Sequence, residues 1–386
     1  MALHAPTERR RTHHHPLATT HHAPTERRPP RDTRRRVPAS VLALGAVTAV
    51  FGVGGIVLGP LRSVLVIGAT TTFVMPVLGA VGDWHAGVQP RQRGARLLNS
   101  VSIVVIAAAL TIVGQAIVGH LDLPGAFRGT PVTDQHEFPT FPYLIPLAAI
   151  AFVSFLQLSI VSEGRLVFPD RFGPAAGRCA VLMCEVIAVV GYLLLANWNA
   201  VPQSMRTQIG LRNPGGPIPA LDIATWLIVV SLWQTLYLVL DGWPYSLITR
   251  RPLRILVANA ADVLLGSATY WLGRDAIGVT GPQLAAATAM CIAAGLLVGP
   301  LLQIWSAKDL TPAVTRAALA ATSLVLAACL YAGLRAIGLG LSSGWTPGVP
   351  VELWMVICGL NLIGGGVLWY TRVVVPDQAL MKTEGA

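Results

Sequence analysis

The sequence predicts an all-α, polytopic integral membrane protein of about ten transmembrane helices. These are expected as repeated helix–cytoplasmic loop–helix hairpins, with N- and C-termini both cytoplasmic. Three observations predict this: a series of long apolar stretches, an alternation of arginines between successive connections, and a loop pattern that recurs along the chain. Hydrophobic residues make up 53% of the sequence and charged residues only 12%. A soluble domain carries about 25% charged residues.

About 20 apolar residues cross a hydrocarbon core about 30 Å thick. Stretches that meet this run near 39–59, 62–81, 98–119, 143–162, 179–198, 221–240, 255–273, 284–304, 317–336 and 353–371. Open backbone is not tolerated in lipid, and these runs are too long and too uniformly apolar for barrel strands, so they are read as helices. The connections between them are too short to hold a soluble domain of ordinary size. Residues 38–372 are therefore read as one transmembrane helical domain, 1–37 as a disordered basic cytoplasmic tail, and 373–386 as a cytoplasmic C-terminal tail.

The basic residues orient the bundle. Nine arginines lie in 1–36, ending in Arg34-Arg35-Arg36 before the first span. With that end in the cytoplasm, 22 of the 28 Lys and Arg residues fall on the inner side. The outer side keeps Arg62, Arg128, Arg206, Arg212, Arg274 and Arg335. This is the positive-inside bias, and a miscounted span would scramble it. The tail has too long a polar part for a signal peptide, and no small-residue cleavage site follows the apolar run. It repeats the segment His-Ala-Pro-Thr-Glu-Arg-Arg at 4–10 and 22–28. Its Pro, Arg and His content predicts disorder and contact with anionic lipid. His13, His14, His15, His21 and His22 are a second, metal-binding reading of the same tail.

The inner loops look like copies of one another. Asp83-Trp84 is followed by Arg93 and Arg96, and Asp241 and Trp243 by Arg251 and Arg254, with the same ten- and thirteen-residue spacings from acid to arginine. Glu163-Gly164-Arg165, with Arg178, keeps the acid–Gly start without the spacing, and the loop with Asp309 and Arg316 is more decayed. The incoming helices match as well, with Gln157, Gln234 and Gln303 at like depth. Internal repeats are read at about 62–198 and 221–336. Interfacial anchors and ion pairs would explain the loops. So would a cytoplasmic vestibule for an anionic solute or lipid head group, formed by Asp83, Trp84, Arg93, Arg96, Glu163, Arg178, Asp241, Trp243, Arg251 and Arg254.

Within the spans, Glu185 and Asp262 are the sharpest signals. Glu185 lies seven residues beyond Arg178 and Asp262 eight beyond Arg254, about 10 and 12 Å along a helix. A charge at the bilayer centre costs at least about 2.5–3.5 kcal/mol, so each carboxyl must face protein or water or carry a proton. Asn259, Asp262 and Gly266 share a helical face, as do Arg178, Glu185 and Tyr192. The intramembrane candidates are thus Glu185, Asp262, Asn259, Gln157, Gln234 and Gln303. They are read either as a proton- or cation-coupled site at the repeat interface or as interhelical hydrogen-bonding glue. Gln115 and Asn361 fit the second style.

Other chemistry is thin. The spans hold no histidine in their cores, which argues against a bis-His haem, and no cofactor is expected. There is no Walker, HExxH, GxSxG or CxxC motif. The five cysteines, at 179, 184, 291, 329 and 358, fall in or at the edges of helices, so no disulfide framework is implied. The outer loop 120–142 carries His120, Asp122, Asp134, His136 and Glu137, metal-capable types that a flexible solvated loop also explains. The outer loop 199–220 is rich in Pro, Gly and Asn and shows no chemistry. The expected partners are the lipid bilayer, anionic lipids at the cytoplasmic face, and protein partners or a homo-oligomer; the basic pI is topological and gives no ground for nucleic acid. Scarce Lys beside abundant Arg, Ala, Gly and Pro points to a bacterial source and a plasma (inner) membrane location.

The leading functional reading is a small-solute or ion permease with a coupled intramembrane carboxylate. One alternative is a non-catalytic membrane scaffold or assembly subunit. Another is a membrane enzyme acting on a lipid head group, with Asp83, Glu163 or Asp241 as acid or base, a reading weakened by the lack of a nucleophile or metal set.

Overall fold

The computed structural model of the chain describes residues 93–119, 143–162, 175–208, 210–240, 242–306, 311–340 and 350–369. The tail 1–37, the spans expected near 39–59 and 62–81, the loop 120–142 and the C-terminal tail 373–386 lie outside the described residues.

What is described is predominantly helical. Helix α1 is Arg93–Val118, α2 is Ile145–Phe155 continued by a π turn at Leu156–Val161, and α3 is Ala175–Leu195. A short α4, Gln203–Gln208, leads to α5, Ala220–Val239. Helix α6 is Arg251–Trp271, with a π turn at Leu272–Ala276. Then come α7, Gly281–Ser306, α8, Pro312–Gly340, and α9, Val351–Trp369. Each expected span from 98–119 onward coincides with one of these helices to within several residues. Prolines explain several starts. Pro146 and Pro252 occupy the first turns of α2 and α6, where the missing N–H costs nothing and the fixed φ suits a helix.

Among the described residues four helices are long and apolar enough to cross a membrane: Ala220–Val239, Arg251–Ala276, Gly281–Gly299 and Pro312–Gly340. Shorter apolar helical segments are Val105–Val118, Ile145–Val161, Cys179–Leu195 and Val351–Leu360. Burial divides the long ones into two kinds. The apolar window of α7 is 67% buried and that of α8 only 11%. Leu264 on α6 and Leu324 and Val325 on α8 are exposed. Exposed apolar surface on this scale would aggregate in water and is what a lipid-facing helix presents.

Helix α5 packs against α2, α6 and α7, and α7 packs in turn against α5, α8 and α9. Helix α3 packs on α2, as α6 does on α5 and α8 on α7. Helices α2, α5 and α7 therefore form a continuous row, and α3, α6 and α8 each lie against the helix that precedes them. Small residues make the row tight. Ala286, Ala289, Ala293 and Ala294 of α7 are fully buried. In lipid, helices associate through such close packing and through polar contacts, because apolar burial supplies no drive there.

One connection departs from the all-helical reading. Ala196–Asn197 and Ile218–Pro219 form a parallel two-residue strand pair, with Ala196 opposite Ile218. Asparagines hold the intervening loop. Asn197 Nδ2 donates to the Gly216 carbonyl at 2.9 Å, and Asn213 Oδ1 accepts from the Trp198 backbone N–H at 2.8 Å. Asn213 Nδ2 donates to Asn199 Oδ1 at 2.9 Å. Arg212 ties the loop to α1, donating from its backbone N–H to Val118 O at 2.9 Å and from its guanidinium to Ala116 O at 3.1 Å. Those are orphan carbonyls of a helix C-terminus, which a cation satisfies well. Gly216 lies so close to the Leu195 carbonyl that a Cβ would collide with it. The segment that carries no chemistry in sequence is thus a built closure for one end of the bundle.

Candidate functional site

The polar groups concentrate where α2, α5 and α6 meet. The π turn of α2 carries Gln157, and such turns re-aim a side chain that a regular helix would place elsewhere. Gln157 Nε2 donates to the Asn259 backbone carbonyl of α6 at 3.0 Å. Gln234 of α5, fully buried, donates to Gln157 Oε1 and to the Val153 carbonyl at 3.4 Å. The two glutamines placed at like depth in sequence are therefore bonded to one another. Asn259 Nδ2 donates to Ile255 O at 2.7 Å and to Ser162 Oγ at 3.2 Å.

Asp262 lies one turn further along the same face of α6 and is 1% exposed. The Tyr245 hydroxyl donates to Asp262 Oδ1 at 3.3 Å. Asp262 Oδ2 is buried with no hydrogen-bond partner among the described residues, as is Gln234 Oε1. Tyr245 comes from the α5–α6 connection, on a 3₁₀ turn at Tyr245–Leu247. Its ring stacks on Tyr237 at 6.0 Å, which folds the connection back toward the bundle. Burial first, then the Asp262 charge and the hydrogen bond to it, push the Tyr245 phenol up to about 12. The phenol therefore keeps its proton throughout the physiological range and donates a hydrogen bond to Asp262.

Helices α5 and α6 are held face to face around this group. Trp226 Nε1 donates to Ser267 Oγ at 2.9 Å and Trp233 Nε1 to Thr269 Oγ1 at 3.1 Å. Gly266 lies against Val230, where an added Cβ would sit 2.6 Å from the Val230 Cα. At the far end Arg274 pairs with Asp222 at 3.6 Å. The expected shared face of Asn259, Asp262 and Gly266 is thus the face that α6 turns to α5 and α2.

Glu185 has different surroundings. It lies on α3, next to the buried Cys184, in a cleft between α3 and α1 that Leu147 of α2 also lines. The cleft measures about 240 Å³. Glu185 Oε1 is buried without a hydrogen-bond partner among the described residues. Tyr192, two turns along, is fully buried and accepts a hydrogen bond from Trp198 Nε1 at 2.8 Å. Glu185 and Asp262 thus sit in two distinct settings, an open apolar cleft and a closed polar cluster.

Among the vestibule candidates, Trp243 is partly exposed, and the Arg316 guanidinium lies 5.3 Å from its ring centroid. This contact, a cation–π pair, joins the α5–α6 connection to the start of α8, which the sequence treats separately. Arg251 and Arg254 fall in the first turn of α6, as Arg178 falls in that of α3 and Arg93 and Arg96 in that of α1. The side chains of Arg93, Arg96, Arg178, Gln303 and Asn361 lie outside the described residues, as do Asp83, Trp84, Glu163 and Asp241 entirely. So do the metal candidates His120, Asp122, Asp134, His136 and Glu137, and the tail histidines. The five cysteines are free thiols. Sequence reasoning missed Tyr245, Ser162 and the Asn197–Asn213 closure. Ser162 beside the acid of its loop and Tyr245 four residues past Asp241 give no periodic signal.

No protein-family model, no curated protein and no solved structure matches the chain. The site therefore stands on its own geometry.

The glutamine pair gives a direct test of the interhelical polar contacts. Gln157→Leu and Gln234→Leu singly should each destabilise the bundle, because each removes one side of the hydrogen bond between the two amides. The double variant should be less unstable than the sum, with a coupling of about 0.6–1.7 kcal/mol. Additive thermal shifts for the purified variants would show that the pair contributes nothing.

Proposed function

We propose that the chain is a ten-helix membrane protein of a bacterial plasma membrane, made of repeated hairpins with both termini cytoplasmic. On this reading it is a small-solute or ion permease coupled to protons or another cation through an intramembrane carboxyl. Three features support the architecture: the row α2–α5–α7 with α3, α6 and α8 each on the preceding helix, the hydrogen bond between Gln157 and Gln234, which hold like places in the expected repeat, and the exposed apolar faces of α6 and α8. A reporter fused after Pro131 should read as extracytoplasmic; a cytoplasmic reading would overturn the ten-span topology.

Asp262 carries the functional reading. Buried polar groups in proteins are nearly always satisfied. Asp262 is 1% exposed, yet among the described residues only one of its carboxyl oxygens has a partner, the Tyr245 hydroxyl. A carboxyl held in this way between helices has room in its hydrogen-bonding capacity for one proton or one cation. That is the requirement for an exchangeable coupling group, and such intramembrane acids are characteristic of proton relays. The flanking Gln157, Gln234 and Asn259 supply neutral dipoles that could accompany either charge state.

The test is flux. Purified protein in proteoliposomes, with a pH-sensitive dye inside and an imposed pH gradient, should show solute-dependent proton movement for one member of a panel of amines, amino acids, sugars and inorganic ions. The movement should depend on Asp262. A panel without response would overturn the permease reading.

The scaffold reading has one observation of its own. The Gln157, Gln234 and Asn259 bonds run between helices and would serve as structural glue whether or not anything is carried. It predicts that replacing Asp262 costs folding rather than flux.

A further inference from the structure

The α1–α3 cleft has its own chemistry. Its walls are apolar, contributed by residues such as Val113, Gly114, Val186 and Val190, with Leu147 of α2 beneath. Among the described lining residues Glu185 is the only ionisable one. The rim is open: Val113 is 53% and Val190 49% exposed. Both lie well inside apolar helices, so the opening faces sideways, toward where lipid would be, rather than along the bundle axis.

This combination selects a ligand. Glu185 is only half-buried as a residue and lines the cleft, so an occupant that brings a hydrogen-bond donor, and preferably a positive charge, is matched by its carboxyl. An anion would find no cation to pair with on the described wall. A sugar would find too few polar partners for its hydroxyls. A bare divalent ion wants six or more oxygen ligands, and the described wall offers one carboxylate. A compact apolar body carrying an ammonium meets every condition. Its carbons cover the valines, its N–H groups reach the carboxylate, and their attraction is strong in low dielectric. The volume of about 240 Å³ restricts it to a small molecule, below the usual range of drug-sized sites.

We propose that the cleft binds a small lipophilic amine in its ammonium form, taken laterally from the bilayer, with Glu185 as the anion that receives it. This deepens the permease reading by naming a substrate class, and it rests on that reading only for transport; binding is measured separately.

The probe is benzylamine, with benzyl alcohol as its neutral analogue and phenylacetate as an anion, titrated against the full chain in lipid nanodiscs. Wild type should bind benzylamine saturably and neither analogue. Glu185→Gln should weaken binding about tenfold or more. Val113→Phe, which keeps the carboxyl and fills the cleft, should weaken it similarly. The thermal unfolding of each variant serves as the folding check, and Val113→Phe carries the test should Glu185→Gln not fold. Equal binding to Glu185→Gln, equal binding of benzyl alcohol, or no saturable binding at all would overturn the proposal. The last result is also what a cleft filled by a lipid chain or by the chain's own residues 39–81 would give. Saturable Glu185-dependent binding without benzylamine flux in proteoliposomes would uphold the site and sink its transport role. Asp262-dependent flux of another solute, with no benzylamine binding, would do the reverse.

Discussion

Asp262→Asn should abolish coupled flux while leaving protein abundance and thermal stability near wild type. Asparagine has the same shape, and its Oδ1 can still accept the Tyr245 hydroxyl, which lies 3.3 Å from Asp262 Oδ1. What it cannot do is take up and release a proton or balance a cation. Groups that handle protons in a rate-determining step are worth about 100-fold to 10,000-fold, so a loss of at least about 100-fold in flux is expected if the carboxyl is the coupling group. Asp262→Leu should behave differently. It removes the acceptor as well, strands the Tyr245 hydroxyl in a half-buried position, and should lower stability by about 1–3 kcal/mol. The two variants together separate coupling from glue. An Asn variant with wild-type flux would show that the carboxyl is not the coupling group. An Asn variant that fails to accumulate would favour the scaffold reading.

Gly266→Val should have the largest effect on the fold. A Cβ at this position would stand 2.6 Å from the Val230 Cα. The obstacle is backbone, so no rotamer change relieves it and α5 and α6 must move apart. Overpacking of this kind costs about 1–3 kcal/mol and sometimes more. The separation would also lengthen the Trp226–Ser267 and Trp233–Thr269 hydrogen bonds that flank Gly266. Detergent-purified Gly266→Val should unfold several degrees lower and accumulate less than wild type. A change of similar size on the outer face of α6, such as Ala268→Val, should be tolerated. Equal stability of the two variants would mean that α5 and α6 are not closely apposed at Gly266.

Much of the described fold is legible in the residues themselves because long apolar runs impose a strong, one-dimensional code. Apolar run length specifies a helix, and rise per residue specifies depth. The stretches from 98–119 onward coincide with helices for this reason. Depth was also the ground for grouping Gln157 with Gln234 and Glu185 with Asp262. The glutamines occupy facing helices and bond directly. The carboxyls do not meet. Helix α3 presents Glu185 to α1, while α6 presents Asp262 to the α2–α5 side. Depth does not report azimuth, and azimuth follows from which helix packs on which.

The same division accounts for what the residues did not disclose. The π turn that places Gln157 leaves no mark in apolar periodicity, because a one-residue widening lies within the tolerance of an eleven- to eighteen-residue window. The asparagine closure at 196–219 joins residues about 20 apart through side chains that read as ordinary loop polarity. Tyr245 reaches Asp262 only because its connection folds back on Tyr237. By itself, then, the sequence determined helical class, the positions of the described helices and the presence of two carboxyls within apolar helices, since each follows from local composition and rise per residue. Only the tertiary structure decided that one carboxyl joins a closed polar cluster and the other opens on an apolar cleft, because that depends on the rotation of each helix against its neighbours.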